Sequence, residues 1–476
     1  MTSPQKPTAA VIGGGMAGLS AAHDLVADGW QVEVHDADSH WGGKVWSSPV
    51  GDRLVDAGAD TFLARAEEGT QLCIELGLES ELVSPAAPVP AYIVGGGELH
   101  ELPPGSMLGV PTDLEALRRS GLISAEGVTR AEVDLRTGAT PIDGDISVGE
   151  LCRARLGDEI TDRLIDPLLG GINASDIDRL SLGAGAPLLA AALTQSPSLI
   201  NGLIKIRPAA GPTLGTPDPA PAGAMASTGP TGAVPASISR PVFYGLPGGT
   251  ARIIDALIES LTGRAELNLG SKIIALNELA ASVDAVVIAT PAFAAAELLQ
   301  SLSPDAAAEL ASIDYASVAQ VMAEVPLSRL ERNLDAAGIL FPRVDGTLMT
   351  ACTWMSTKWA HYQRPDTALL RMSAGRFGDD RPNRHTDDEL IEVLLGELNE
   401  IVGVHGAPTA TRVQRLSNAL PQYTPGHQAR VDRIMEAVSV DGPNIRLAGA
   451  AYQGIGIPAC IASGRGAAQS LINQLG

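Results

Sequence analysis

The chain has 476 residues, 45% of them hydrophobic, which is enough material for two or more cores. Lys+Arg 33 against Asp+Glu 55 leaves a net charge of -22, which repels nucleic acid and anionic lipid and excludes both as general partners. Aromatic residues make up 3%, too few for a base-stacking surface, and Cys73, Cys152, Cys352 and Cys460 are too scattered for a zinc cluster or a C-x-x-C pair.

The opening Met1–Lys6 is polar, without a secretory apolar region. Ala9–Ile12 and Gln31–His35 read as parallel strands around a helix from Met16 to Ala27, with Gly29 as its stop. Between them runs Gly13-Gly14-Gly15-Met16-Ala17-Gly18, and about twenty residues later the second strand ends in Asp36-Ala37. This is the dinucleotide fingerprint G-x-G-x-x-G with its ribose-binding acid. Gly13 permits a tight turn, Gly15 lets the backbone approach a pyrophosphate, and Gly18 lets the helix pack against the strand. The helix N-terminus then offers free N–H groups to the phosphates.

Leu72–Leu78 and Leu114–Arg119 read as helical, and Ser147 to Leu169 carries apolar residues at helical spacing, predicting one or two helices. Leu188–Leu193 and Leu199–Ile204 continue that pattern. The longest apolar stretch, Leu180 to Leu193, is shorter than the roughly 20 residues a spanning helix needs. A soluble, cytoplasmic chain follows as the expectation, touching at most a membrane surface. Pro208 to Pro241 is built mostly of Pro, Ala, Gly, Thr and Ser and buries too little to offset its ordering entropy, which predicts a disordered or poorly ordered loop. Ile253–Leu261 is an amphipathic helix, and Val283–Ala289 a buried parallel strand. Ala316–Pro326 and Leu369–Ala374 suit a sheet. Asp387–Val402 is a helix with Thr386 at its N-cap. Asn444–Leu447 is a last strand, and Ala459–Leu475 a closing helix.

The fingerprint alone leaves NAD and FAD open. Gly42-Gly43-Lys44, the small-residue turn Asp56-Ala57-Gly58-Ala59-Asp60-Thr61, and Gly454-Ile455-Gly456-Ile457-Pro458 before the last helix decide between them. The last is a second glycine-to-helix junction, with N–H donors for a second anionic or electron-accepting group.

With these elements the chain resembles the flavin amine oxidase superfamily. Gly170-Gly171-Ile172-Asn173-Ala174-Ser175 with Leu180-Ser181, Leu420-Pro421-Gln422-Tyr423-Thr424-Pro425-Gly426-His427 and Gly454-Ile455-Gly456-Ile457-Pro458 are similar to the porphyrinogen oxidases of haem synthesis, and the acidic chain without a spanning segment resembles their Gram-positive, coproporphyrinogen-type branch. The resemblance runs over almost the whole chain outside Pro208–Pro241.

It implies an α/β fold: a discontinuous Rossmann-like FAD-binding domain from 1–90, 242–300 and 405–476. A mixed-sheet substrate domain (91–104 and 301–404) and a helical subdomain (105–207) are inserted into it, with 208–241 as the loop. It implies non-covalent FAD, with the pyrophosphate on Gly13 to Gly18 and the adenosine ribose on Asp36, beside Ala37. Gly43 and Lys44 approach the phosphate or ribityl, Gly58, Ala59, Asp60 and Thr61 line the isoalloxazine, and Ile273 packs by the adenine. Ile455, Gly456 and Ile457 bring helix N–H groups to the flavin O2/N1 edge. The implied reaction oxidises coproporphyrinogen III to coproporphyrin III, passing six electrons to three O2 to give three H2O2. The alternatives are protoporphyrinogen IX oxidation, an amine oxidase or desaturase-like flavoenzyme, or a non-enzymatic flavin scaffold. Contact with a membrane surface or a downstream haem-pathway enzyme is a further expectation.

Three departures stand out. Asp36 replaces the family's usual Glu, Arg415-Leu416 replaces Arg-Trp, and the segment from Ile273 to Val283 is short. No Ser-His-Asp or Cys-His arrangement has persuasive spacing, and no metal site is expected. The Gly171 main chain either orients a pyrrole N–H or simply ends a helix. Arg65 either pairs a propionate or is a surface residue. His427 either transfers a proton or makes a structural hydrogen bond, and Tyr423 reads as a packed aromatic. Cys460 does not match a covalent-flavin motif.

Overall fold

A computed structural model describes residues 6–86, 90–136, 138, 144–206 and 241–475. The expected loop 208–241 lies, but for Pro241, outside them. A five-stranded parallel sheet runs in the order Ile445–Leu447, Ala285–Ile288, Thr8–Ile12, Gln31–Asp36, Glu266–Leu269. Its central strands Thr8–Ile12 and Ala285–Ile288 are short and almost wholly apolar because both faces are covered, while Gln31–Asp36 and the edge strand Glu266–Leu269 alternate polar with apolar residues. Val11, Val34 and Val287 face a layer made by the helices Met16–Ala27, Ala251–Leu261 and Ile457–Leu475. Ile12, Val286 and Ile288 face the opposite layer, which includes the helices Ala292–Leu299, Pro304–Ala311 and His427–Asp441.

A second sheet of seven strands runs Ala410–Pro421, Tyr315–Pro326, Thr367–Ala374, Met349–Trp354, Gly338–Leu340, Tyr92–Gly95, Glu98–Glu101. It is antiparallel except where Gly338–Leu340 meets Tyr92–Gly95. One face packs on the helix Asp387–Val402, which starts with a full capping box between Thr386 and Glu389. The strand Ala410–Pro421 and the helix Pro304–Ala311 lie across the boundaries drawn at 405 and 300. The former pairs along its length with Tyr315–Pro326, and the latter buries Ala306, Ala307 and Leu310 on the parallel-sheet side. The short segment after Ile273 holds the helix Leu276–Ser282.

The helical part has its own core, centred on Leu117, Leu156, Leu164 and Leu189. Ser147 to Leu169 divides into the helix Val148–Leu156, a short turn and a wide π-helix over Thr161–Gly170 that contains Pro167. π-helical segments are rare and gather at functional sites, and this one ends on the cavity described below. Among the described residues, no helix is long and apolar enough to cross a membrane.

Candidate functional site

A cavity of about 1130 Å³ runs from the phosphate loop, past the end of the π-helix, to the inner face of the seven-stranded sheet. Small-molecule sites occupy roughly 300–1,000 Å³, so this space lies just past the large end of that range.

At the nucleotide end, Gly13 takes φ +109°, and its N–H donates to the His35 carbonyl at 2.7 Å. A Cβ on Gly18 would lie 1.8 Å from the Gly13 carbonyl oxygen, so the helix seats directly on the turn. The helix Met16–Ala27 begins after Gly15 with no side-chain cap, leaving its first N–H groups free for an anion. The Gly42 N–H donates to the Gly14 carbonyl at 2.8 Å, which docks the Gly42-Gly43-Lys44 turn on the phosphate loop. Asp36 closes this end. Its carboxylate accepts the N–H groups of Gly14 at 2.5 Å and Asp38 at 2.8 Å, leaving about two of roughly four lone-pair sites open.

Lys44 is largely buried beside the cavity, its Nζ 5.8 Å from the Tyr315 ring centre. Burial lowers its pKa, and among the described residues no carboxylate offsets this. A buried cation without a counter-charge, beside open glycine backbone and a bare helix start, fits a dinucleotide with an anionic linker.

The turn after Asp56 forms the next wall. Asp56 accepts a hydrogen bond from the Thr250 N–H (2.8 Å), and the single hydroxyl proton of Thr250 is shared between the Ala59 carbonyl at 2.6 Å and the Asp56 carboxylate at 3.0 Å. Burial, with Asp60 nearby, pushes the Asp56 carboxyl up to about 6. Asp60 turns its carboxylate to Arg371 (3.1 Å) and Lys358 (3.6 Å), so this residue serves as an anchor for two cations. At the C-terminal junction the Tyr423 hydroxyl donates to the Ala450 carbonyl (2.5 Å) and accepts the Gly454 N–H (2.8 Å). That bridge sets the approach of Ile455, Gly456 and Ile457 to the cavity at the start of the last helix. His427 stacks on Tyr423 at 4.0 Å, and its Nε2 sits 3.2 Å from the Tyr452 carbonyl. It is fully buried and lies behind the cavity wall, a structural position. Cys460 borders the cavity as a thiol that burial holds up at about 11.

Gly170, Gly171 and Ile172 line the cavity where the π-helix passes into a short α-helical turn, and the helical backbone ends after Asn173 at left-handed Ala174, so this stretch faces the space without itself ending the helix. The Gly170 carbonyl is taken by the Ser175 N–H at 2.9 Å. A buried ion pair, Asp166 with Arg376 at 3.0 Å, ties the π-helix to the loop after Thr367–Ala374.

Of the residues expected from sequence, Gly13, Gly15, Met16, Ala17, Asp36, Ala37, Gly43, Lys44, Gly58, Ala59, Asp60, Ile273, Ile455, Gly456, Ile457 and Gly171 meet around this one cavity. Four stand outside its lining. Gly14 is covered by the Trp41 ring, and Gly18 is spent on helix packing. By Thr61 the chain is turning into the strand Phe62–Leu63, which pairs with Phe243–Tyr244. Arg65 is exposed between buried Ala64 and the helix Glu67–Glu75, so a propionate anchor has to be sought elsewhere. Arg65→Ala is accordingly expected to leave both bound flavin and the Michaelis constant within about twofold, the scale of surface changes; a steady-state titration checks this. Sequence reasoning missed the sheet's contribution: Gln320, Thr350, Arg371, Ser373 and Gln414 put a polar face on the cavity. The alternation of Arg371 and Ser373 with buried Leu370, Met372 and Ala374 was the available signal.

The profile of the family described as flavin containing amine oxidoreductase matches residues 16–472. The chain is 30% identical over 491 residues to the coproporphyrinogen III oxidase of Bacillus subtilis (strain 168), covering 99% of each chain. It is 31% identical to the enzyme of that name from Staphylococcus aureus (strain NCTC 8325 / PS 47), covering 98% of this chain and 99% of the relative. A crystal structure from Exiguobacterium sp. 255-15 matches with TM-score 0.82 and 28% identity, over 99% of this chain and 100% of that one. Cyclohexylamine oxidase from Brevibacterium oxydans IH-35A shares the fold, with TM-score 0.66 at 16% identity over 99% of this chain and 100% of that one. The chain belongs to the flavin containing amine oxidoreductase family and is an FAD-dependent oxidoreductase related to the bacterial coproporphyrinogen III oxidases.

Proposed function

We propose that this protein oxidises coproporphyrinogen III to coproporphyrin III, with dioxygen as the electron acceptor and FAD held without a covalent link. The observation that carries the reading is the single cavity in which a phosphate loop, a C-terminal helix start and a polar sheet face meet. When bound, FAD would supply two-electron oxidation of the macrocycle coupled to reduction of dioxygen to hydrogen peroxide, needed three times for the six electrons of aromatisation.

The chain's own residues have simpler tasks. The backbone of Gly13, Gly15 and Gly43, with Lys44 beside it, would hold the diphosphate side. Asp36 would take a ribose hydroxyl. Ile455 to Ile457 would turn helix N–H groups toward the ring edge where negative charge develops. Ile172 and the polar sheet face would hold and orient the macrocycle and exclude bulk water. Trp46 and Tyr315 are the aromatic side chains among the described lining residues, apart from histidine rings. That is a poor cage for an amine cation and counts against amine oxidation.

The test is porphyrin fluorescence and peroxide release from the purified yellow protein. It is offered coproporphyrinogen III, protoporphyrinogen IX and a panel of amines in turn. Coproporphyrin emission at the higher kcat/KM is expected. Faster turnover of protoporphyrinogen IX would move the substrate assignment to that macrocycle, and turnover of amines alone would overturn the reading.

A further inference from the structure

Three buried charged groups form one cluster at the sheet end of the cavity. Arg371 stands on Thr367–Ala374, an interior strand flanked by Tyr315–Pro326 and Met349–Trp354, so its backbone is rigidly held. Its Nη1 lies 3.1 Å from Asp60 Oδ1, and the two side chains are 12% and 11% exposed. Lys358 Nζ lies 3.6 Å from Asp60 Oδ2 and is 16% exposed. Two cations thus share the Asp60 carboxylate; the neighbouring Asp56 is matched by Arg412, whose Nη2 donates to the Asp56 carbonyl at 2.8 Å, so the group as a whole carries one uncompensated positive charge. Burial drives the Asp60 carboxyl upward, yet Arg371 and then Lys358 bring it down to about 2, so Asp60 stays charged. Burial lowers Lys358 even with Asp60 beside it, as expected of a cation sharing its partner.

The other cavity-lining arginines are committed. Arg376 is paired with Asp166 at 3.0 Å. Arg415 bonds Asp387 at 2.9 Å and the carbonyls of Pro382 and His385 at 2.9 and 2.8 Å. Apart from Asp60, the lining on the sheet beside Arg371 is polar but neutral, with Thr350, Ser373 and Gln320. Arg371 Nε is buried and has no hydrogen-bond partner among the described residues, and neither has Gln320 Oε1, an acceptor. A surplus cation with an unused guanidinium donor is complementary to an anionic group arriving from the cavity.

We propose that Arg371 is a specificity-determining residue that receives one carboxylate of the macrocyclic substrate, with Asp60 and Lys358 as positioning residues that hold its guanidinium in place. The proposal rests on the porphyrinogen reading above and adds a basis for choosing between macrocycles. Coproporphyrinogen III carries four carboxylates and protoporphyrinogen IX carries two. A fixed arginine deep in the cavity therefore favours a substrate with a carboxylate on the inserted edge.

The test compares Arg371→Gln and Arg371→Lys with the unaltered holoenzyme. Three quantities are read: KM and kcat for both porphyrinogens, the dissociation constant of the stable product coproporphyrin III, and the dissociation constant and midpoint potential of FAD. Arg371→Gln is expected to raise KM for coproporphyrinogen III and weaken coproporphyrin III binding about ten- to a hundredfold, the scale of one charge-assisted hydrogen bond. KM should rise more than kcat falls, the KM for protoporphyrinogen IX should move less, and Arg371→Lys should restore part of the loss. Unchanged coproporphyrin binding in Arg371→Gln would overturn the proposal while leaving the porphyrinogen reading intact. A shift in FAD affinity or potential at constant KM would also overturn it, assigning the cluster to the cofactor. If the unaltered protein neither binds coproporphyrin III nor oxidises its reduced form, both readings fall.

Discussion

Gly15→Val is expected to give a folded protein that purifies without FAD. Gly15 lines the cavity at the start of the first helix, and a Cβ placed on it would meet only the Gly42 carbonyl oxygen, at 4.0 Å. The apo fold therefore tolerates a side chain there. The methyl groups of valine would occupy the space in front of the free N–H groups, where the diphosphate has to sit. Losing several charge-assisted hydrogen bonds, each worth about 1.5–3 kcal/mol, weakens binding by roughly a thousandfold or more. Absorbance at flavin wavelengths per chain, with a fluorescence titration of the apoprotein, measures the effect. Gly18→Val serves as contrast, because its Cβ would lie 1.8 Å from the Gly13 carbonyl and would disturb the turn itself. Normal flavin content in Gly15→Val would remove the phosphate-loop assignment.

Gly464→Val is expected to cost at least about 3 kcal/mol, the upper range for overpacking, because the obstacle is backbone. The last helix crosses the first with Gly464 against Ala17, and a Cβ there would lie 2.0 Å from the Ala17 carbonyl oxygen. A carbonyl inside the first helix cannot swing away without breaking that helix. The last helix must shift instead, carrying Ile455, Gly456 and Ile457 away from the cavity. Both thermal stability of the apoprotein and FAD affinity should fall together. Gly466, two residues on, has nothing within 4 Å, so Gly466→Ala should be neutral or stabilising by up to about 1 kcal/mol. Equal midpoints for Gly464→Val and the unaltered protein would show that the two helices do not pack as described.

The parts of the fold legible in sequence were those set by local pattern. The helix Met16–Ala27 follows from three glycines and an apolar face. Asp387–Val402 follows from its Thr386 cap, and the buried strand Ala285–Ile288 from an uninterrupted apolar run. What stayed hidden depends on pairing between distant segments. Ala410–Pro421 looks unremarkable alone, and only its register with Tyr315–Pro326 places Gln414 opposite Gln320. Arg371 reads as one polar residue in a strand until Asp60 and Lys358 come within ion-pair distance. Arg65 misled because it follows the turn by only a few residues, and strand direction rather than proximity in sequence decides which side chains face the cavity.

The parallel sheet draws its strands from both ends of the chain: Thr8–Ile12 lies two places from Ile445–Leu447, and the helices Met16–Ala27 and Ile457–Leu475 pack together. During synthesis, the early half-site emerges hundreds of residues before the segments that complete it. Contacts so remote in sequence are slow to form, and domains mature as units. Coenzyme loading is thus postponed until Ile457–Leu475 has been made. A prematurely terminated polypeptide would stay colourless, and flavin retention doubles as a check that the ribosome reached the closing helix.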